Sequence, residues 1–159
     1  MYIIHKGVSE STADEFLKLA LELNYKFSIG SRMRLGKNAP HVESKYWYTR
    51  WFDWNFKQRS LFKELFPEEF TTRILQAWFL KYEPLTGLSD EMDFWLDHRN
   101  PATFYCLALH DGQTIVINGE TVVVNKGEIL EFTTNQLHEV RPSKNERHWA
   151  CIMTRKSLS

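Results

Sequence analysis

The sequence predicts a mainly β domain, a barrel or jelly roll with helices packed on one outer face. Two observations carry this prediction. Residues from Thr103 to Arg155 form a series of short apolar runs separated by turn signals, whereas helical patterns lie earlier in the chain. Asn118-Gly119 lies between two alternating apolar runs, which is the strongest short-range indication of a β-hairpin. A second turn is indicated at Gly127.

The composition is that of one globular domain. The chain has 159 residues, 43% of them hydrophobic, and a formal net charge of zero. We expect a single domain over residues 1–159, helical and loop-rich to about residue 70 and a barrel over about 71–156. Zero net charge provides no broad attraction for nucleic acid. No apolar run approaches the ~20 residues of a membrane-spanning helix.

The two cysteines indicate a cellular compartment. Cys106 and Cys151 both lie within apolar, strand-like runs. Such cysteines are typical of buried free thiols, and free thiols persist in a reducing environment. The N-terminal residues have neither a long apolar stretch nor a cleavage site of the signal-peptide type. The sequence therefore predicts a cytoplasmic protein.

Two helices are predicted in the N-terminal part. Thr12 and Glu15 have the spacing of a capping box. Apolar residues then recur every three or four positions from Phe16 to Leu23, which predicts an amphipathic helix that ends near Asn24. A second, short helix is predicted over Ser60–Phe66, because its apolar residues share one side and a proline follows.

Two segments between these helices have unusual compositions. Residues 26–41 contain two glycines, one proline and four basic residues, which predicts a solvated loop or, alternatively, a substrate-facing arm. Residues 46–56 concentrate aromatic side chains among basic ones. Aromatic and basic residues together can stack on nucleic-acid bases, but packing in a core is the favoured interpretation.

The C-terminal half supplies the predicted strands in order. Residues 71–82 are predicted to form a long strand that ends before Pro84, because both of its alternating faces are mostly apolar. Residues 92–97 and 103–109 would pair as the next two strands around a turn at residues 98–101. The hairpins noted above complete the sheet.

One histidine and one arginine in this half carry the functional prediction. His138 lies at the start of a predicted strand, with its imidazole facing inward. Arg147 shares a strand face with apolar side chains, and burying a guanidinium is costly unless an anion pairs with it. A carboxylate is the natural partner. The pair therefore predicts a metal beside an anionic cosubstrate, and the alternatives are a structural histidine and an ion pair within the protein.

Further metal ligands have to come from elsewhere in the chain. Non-haem Fe(II) oxygenases use two histidines and a carboxylate, which leave coordination positions open. The segment before the barrel hairpin offers four side chains of these types. These candidates are Glu91, Asp93, Asp97 and His98. The alternative is that a polar turn simply contains polar residues.

Several motifs together resemble the Fe(II)/2-oxoglutarate-dependent dioxygenases, either prolyl-hydroxylase-like or aspartyl/asparaginyl β-hydroxylase-like. The stretch from Gly127 through His138-Glu-Val to Arg147 is similar to their distal histidine and to the arginine that holds the far carboxylate of 2-oxoglutarate. Residues 71–84 resemble the strand and Tyr-x-Pro turn before their first ligands. The resemblance implies a double-stranded β-helix (jelly roll, cupin-like), Fe(II), 2-oxoglutarate as cosubstrate and hydroxylation of a substrate.

The resemblance also implies a metal site, with one departure from the family pattern. The family usually has His-x-Asp as its first two ligands, whereas alignment from Tyr82 puts Glu91-Met92-Asp93 in that place. Alignment from the hairpin puts His98 there instead. The favoured set is His98 with His138, and Asp93 as a third ligand.

The cosubstrate and the substrate have predicted contacts as well. The resemblance implies that Arg147 binds 2-oxoglutarate with Thr103 or Tyr105 assisting, while residues 26–41 and 46–56 frame the substrate. The substrate would be a small molecule or a protein side chain. The alternatives are a non-catalytic barrel that serves as a binding or regulatory protein, and a cupin-type enzyme with another metal.

Overall fold

The computed structural model describes residues 2–30, 44–84, 88–91, 102–136 and 138–155. Eleven strands and two helices lie within these ranges. The strands are β1 (Ile3–His5), β2 (Lys26–Gly30), β3 (Ser44–Arg50), β4 (Ile74–Tyr82), β5 (Leu88–Glu91), β6 (Ala102–Ala108), β7 (Gln113–Ile117), β8 (Glu120–Val124), β9 (Ile129–Thr133), β10 (His138–Val140) and β11 (Arg147–Arg155). The helices are α1 (Glu10–Glu22) and α2 (Phe56–Leu65), with short 3-10 turns at Trp51–Asp53 and Glu68–Phe70.

The strands form two antiparallel sheets. The larger sheet has the order β1-β9-β6-β11-β4-β3-β2, and the smaller has the order β5-β10-β7-β8. From β4 onward, consecutive stretches of chain contribute strands to the two sheets in turn, and both helices belong to the first half of the chain. This is the arrangement of a double-stranded β-helix, so the predicted fold class is confirmed.

The central strands of the larger sheet are covered on both faces. Side chains of β4, β6 and β11 that point to one face pack under α1 and α2, and those that point to the other face pack against the smaller sheet. We call the first cluster the helix-side core; it includes Phe16, Phe62, Phe79, Leu107 and Ile152. We call the second the barrel interior; it includes Tyr82, Phe104, Leu130, Val140 and Trp149. Because of this double burial, β11 is buried from Arg147 to Thr154.

Helix α1 begins earlier than the sequence pattern indicated. Ser9 is its N-cap, and the Ser9 hydroxyl accepts a hydrogen bond from the Thr12 backbone N–H at 3.2 Å. The predicted capping box of Thr12 and Glu15 is therefore wrong, because Thr12 already lies in the first helical turn. Both serine and threonine satisfy an N-cap, so the pattern alone did not choose between them.

Helix α2 also begins earlier, at Phe56 rather than at Ser60. Asn55 caps it through a capping box: the Asn55 side chain accepts from the Gln58 N–H at 2.8 Å, and the Gln58 side chain accepts from the Asn55 N–H at 3.0 Å. This reciprocal pair satisfies two N–H groups at the helix start, which explains why the helix includes the polar first turn.

The predicted hairpin at Asn118-Gly119 is confirmed. It joins β7 to β8, and its two central residues have φ values of 48° and 82°. Positive φ at both positions defines the type I′ turn, which matches the twist of the flanking strands. The local sequence was sufficient here because turn geometry alone sets the register.

The prediction of a loop beginning at Lys26 is wrong for residues 26–30. These residues form β2, which pairs with β3 and places Phe27 opposite Trp47, with ring centroids 4.9 Å apart. Cross-strand aromatic pairs stabilise sheets, and the partner strand lies far along the chain, so a local pattern does not reveal the pairing. The remainder of that segment, residues 31–41, lies outside the described residues.

Of the three other predicted strands, two are confirmed and one lies outside the described residues. The strand predicted over residues 71–82 is confirmed as β4, although it begins at Ile74. The strand predicted over residues 103–109 is confirmed as β6, one residue earlier. The strand predicted over residues 92–97 lies outside the described residues and stays a prediction. Neither helix in the described part of the chain has the length and apolar character needed to cross a membrane.

Candidate active site

His138 is the first residue of β10, as the sequence predicted, and its ring lies in the barrel interior. The ring centroid is 6.1 Å from that of Phe104 and 5.1 Å from that of Phe132. Nδ1 lies 3.2 Å from the backbone carbonyl oxygen of Gln136. An imidazole that donates from Nδ1 to a carbonyl presents Nε2 as its basic nitrogen. In that tautomer, Nε2 is the ring nitrogen with the lone pair that a metal would need.

Arg147 is the first residue of β11, and its side chain is buried on the face that lines the barrel interior. Only 4% of the residue is exposed. One guanidinium nitrogen donates to the carbonyl oxygens of Asn145 and Ser143, at 3.2 and 3.5 Å. The guanidinium carbon lies 5.3 Å from the ring centroid of Tyr82. These contacts fix the position of the cation within the fold.

Burial also sets the electrostatics of this arginine. Desolvation lowers the pKa of Arg147, although an arginine stays protonated at neutral pH even so. A buried cation is costly unless an anion or a set of hydrogen bonds compensates it. A site of this kind attracts a carboxylate, which accepts two parallel hydrogen bonds from a guanidinium.

The histidine and the arginine come from opposite sheets. His138 belongs to the smaller sheet, in which β10 lies between β5 and β7, and Arg147 belongs to the larger sheet. Both side chains contact members of the barrel interior, namely Phe104 and Phe132 for the histidine and Tyr82 for the arginine. The fold thus brings two polar side chains into contact with one apolar cluster, the barrel interior.

The strand beside His138 carries one of the candidate ligands. In the pairing of β5 with β10, Glu91 is the residue directly opposite His138. Asp93, Asp97 and His98 lie outside the described residues. Within the described residues, no three side chains of the ligand types form a cluster that could hold a metal.

The structure does not bring Thr103 or Tyr105 to Arg147. Tyr105 packs against the helix-side core, where its ring lies 4.9 Å from that of Phe70. Thr103 shares that face because side chains alternate along a strand. The intervening residue, Phe104, is the one in the barrel interior. The predicted role of Thr103 and Tyr105 in binding the cosubstrate therefore has to be corrected.

Tyr82 is the site residue that sequence reasoning missed. It is 1% exposed and stands directly opposite Arg147 in the pairing of β4 with β11. Its ring faces the guanidinium, and an aromatic face attracts a cation. The sequence gives the tyrosine a place at the end of a strand, but only the register between two distant strands shows that it contacts the arginine.

Comparison with known proteins adds to this geometry. No protein-family model and no curated protein matches the sequence. Solved structures do match in fold. One is the viral collagen prolyl hydroxylase of Paramecium Bursaria Chlorella virus-1 in its 2OG complex, with 14% identity, a TM-score of 0.65, and coverage of 96% of this chain and 94% of that chain.

Two further solved structures extend the comparison. HygX from Streptomyces hygroscopicus, with nickel, 2-oxoglutarate and hygromycin B bound, has 11% identity and a TM-score of 0.69, and the match covers 99% of this chain and 83% of that chain. A Pseudomonas putida prolyl-4-hydroxylase has 14% identity and a TM-score of 0.61, with 98% and 92% covered. The resemblance predicted from the motifs is thus confirmed at the level of fold: the chain has the double-stranded β-helix of the 2OG-Fe(II) oxygenases.

Proposed function

We propose that the protein is an Fe(II)/2-oxoglutarate-dependent dioxygenase that hydroxylates a small molecule or a protein side chain. The observation that carries the proposal is that the guanidinium of Arg147 and the ring of His138 both contact the barrel interior. A guanidinium held there can bind a carboxylate through two parallel hydrogen bonds. The shared fold with oxygenases that bind 2-oxoglutarate supports the same interpretation.

The cosubstrate suits the residues present. 2-Oxoglutarate carries two carboxylates, and the guanidinium of Arg147 would hold the one far from the metal. Tyr82 would keep the guanidinium in place through its ring face. Apolar side chains around the site exclude water, which strengthens the attraction between the ion and its partner.

The proposed metal site combines described and undescribed residues. His138 would ligate Fe(II) through Nε2, because Nδ1 already contacts a carbonyl. Asp93 and His98 stay proposed ligands from the sequence. Glu91 joins them, because the strand register puts it opposite His138. Bound Fe(II), with its cosubstrate and oxygen, would supply the oxidising chemistry that no side chain provides.

The proposal limits the substrate and the compartment. A formal net charge of zero does not favour nucleic acid. The compared proteins include a collagen prolyl hydroxylase and a protein with hygromycin B bound, which is consistent with a protein side chain or a small molecule as substrate. Both cysteines are free, as expected, and this supports the cytoplasm as the compartment.

Titration under anaerobic conditions tests the proposed function. We expect Fe(II) and 2-oxoglutarate together to give a weak visible charge-transfer band, and we expect succinate to form in air. Arg147→Gln should lose the band at a 2-oxoglutarate concentration that saturates the wild type. Arg155→Gln, at the exposed end of the same strand, should retain it. A wild-type protein that gives neither band nor succinate would contradict the proposal.

One observation favours a second candidate. Glu91, rather than a histidine, stands opposite His138. A barrel that has lost iron binding and acts as a binding or regulatory protein accounts for this departure. On that account His138→Ala leaves function intact, whereas substitution of Trp47 or Trp51 impairs it. Metal analysis of the purified protein separates both candidates from a cupin-type enzyme with a different metal.

A further inference from the structure

Trp149 holds a buried hydrogen-bond donor that the fold does not use. The residue is 2% exposed and belongs to the barrel interior. Its indole nitrogen Nε1 is buried and has no hydrogen-bond partner in the part of the chain that the structure describes. An indole N–H is a donor only, and buried donors without an acceptor are rare in native proteins because the lost hydration is not replaced.

Two other tryptophans have a buried indole nitrogen. The indole N–H of Trp54, in the helix-side core, donates to the Thr49 hydroxyl at 3.1 Å. The indole nitrogen of Trp47 has no partner among the described residues, but Trp47 lies outside the barrel interior. The residues directly opposite Trp149 on the two flanking strands are Leu80 and Ala108, whose side chains have no acceptor. The described residues thus provide no acceptor for the Trp149 indole, and a ligand that enters the barrel interior would supply one.

The position of Trp149 indicates what that acceptor is. It lies two residues after Arg147 on β11, so both side chains are on the face toward the barrel interior. Their Cα atoms are therefore separated by about 6.7 Å along the strand. Two long side chains with this separation reach a common partner, and a partner of Arg147 is an anion with acceptor oxygens.

We propose that the indole N–H of Trp149 donates a hydrogen bond to the far carboxylate of 2-oxoglutarate, beside the guanidinium of Arg147. This inference rests on the proposed function. Thr103 and Tyr105 face the opposite side of the sheet, so neither of their hydroxyls is placed to donate to this carboxylate. Trp149 acts as a binding residue that orients the cosubstrate, and it takes no part in proton transfer.

A pair of ligands tests this assignment. 2-Oxopentanoate has the same 2-oxo acid group as 2-oxoglutarate, but a methyl group replaces its far carboxylate. Binding of each ligand is measured by calorimetry with Mn(II) in place of Fe(II), so that no turnover occurs. Trp149→Phe should weaken 2-oxoglutarate binding on the order of tenfold or more, the range expected for a hydrogen bond to a charged group. It should leave 2-oxopentanoate binding unchanged.

Trp78→Phe is the matched control. Trp78 lies on the neighbouring strand β4 and packs against the same interior, but its indole nitrogen is not among the buried atoms without a partner. This variant should bind both ligands as the wild type does. If Trp149→Phe binds 2-oxoglutarate as tightly as the wild type, the assignment is overturned while the proposed function stands. If the wild type itself does not bind 2-oxoglutarate, the proposed function fails and the assignment fails with it.

Nitrogen-15 NMR of the wild-type protein gives an independent measurement. The chain has six tryptophans, so the spectrum contains six indole N–H signals. The Trp149 signal is identified by its loss in Trp149→Phe or, if that variant does not fold, by elimination over the other tryptophans. Its proton should move downfield when 2-oxoglutarate is added and should not do so with 2-oxopentanoate. An indole signal that moves equally with both ligands would overturn the assignment.

Discussion

The stability of the protein should fall in mild acid because of one buried histidine. His148 follows Arg147 on β11, points to the opposite face, and is 2% exposed. Its Nδ1 lies 3.1 Å from Nε2 of His110, and Lys81 is its direct cross-strand neighbour. Burial is the main cause that lowers the pKa of His148 to about 4. Electrostatic repulsion from His110 and Lys81 lowers the pKa further. The centroid of the Tyr25 ring lies 6.3 Å from that of the His148 ring.

The sign and size of the effect follow from linkage. An unfolded histidine has a pKa of about 6.5. Above that pH, His148 is neutral in both the folded and the unfolded state, so its protonation does not change the free energy of unfolding. As the pH falls below 6.5, the unfolded chain takes up the proton while the folded protein does not, so stability decreases until the pH reaches about 4. Integrated from pH 7.5 to 5.0, the loss is about 2 kcal/mol in the free energy of unfolding.

Urea unfolding at pH 7.5 and at pH 5.0 measures this loss. His148→Gln removes the titration but keeps a polar side chain next to His110. We expect the wild type to lose about 2 kcal/mol more than this variant between the two pH values. Burial also lowers the pKa of His110, and that contribution stays in both proteins as a background. Equal losses in the wild type and the variant would refute the reasoning.

Three further outcomes follow from packing, backbone geometry and thiol burial. Phe62 is fully buried, so Phe62→Ala should lower the free energy of unfolding in urea by about 3–5 kcal/mol. Phe52 is 83% exposed, so Phe52→Ala should change it by less than about 0.5 kcal/mol, and equal losses would contradict the assigned core. Both Gly7 and Gly112 have positive φ, but only at Gly7 would an added Cβ meet a backbone carbonyl, so Gly7→Ala should lower the melting temperature more than Gly112→Ala does. Similar decreases in the two variants would argue against this close approach. Burial raises the pKa of Cys151 well above its usual range, so this thiol should react with Ellman's reagent only when the protein unfolds, whereas the half-buried Cys106 should react sooner. Rapid reaction of both thiols in the native protein would contradict this expectation.

Several features of the site follow from the sequence alone. His138 at the start of a strand, nine positions before Arg147, is a local pattern that survives in the structure. The buried face of Arg147 was also predictable, because the residues that alternate with it along β11 are apolar. The side chains that surround Arg147 were not predictable, and Thr103 and Tyr105, which we expected beside it, lie on the opposite face of the sheet.

The reason for that error is the double burial of the larger sheet. When one face of a sheet meets solvent, polar and apolar residues alternate, and the sequence shows which side chains point inward. Strand β6 is buried on both faces, so its pattern shows no such phase. A shift of one residue exchanges Phe104, which lies in the barrel interior, for Tyr105, which packs under the helices.

The sequence by itself determined the fold class, the Asn118-Gly119 hairpin, and the histidine and arginine on which the functional proposal depends. These features depend on local chemistry: turn residues that accept positive φ, strand alternation, and the cost of burying a charge. Only the tertiary structure decided that Tyr82 faces Arg147, that Glu91 stands opposite His138, and that no described residue provides an acceptor for the indole of Trp149. Each of these depends on the register between strands that are distant in sequence, and that register is set by the packing of the whole sheet rather than by any single segment.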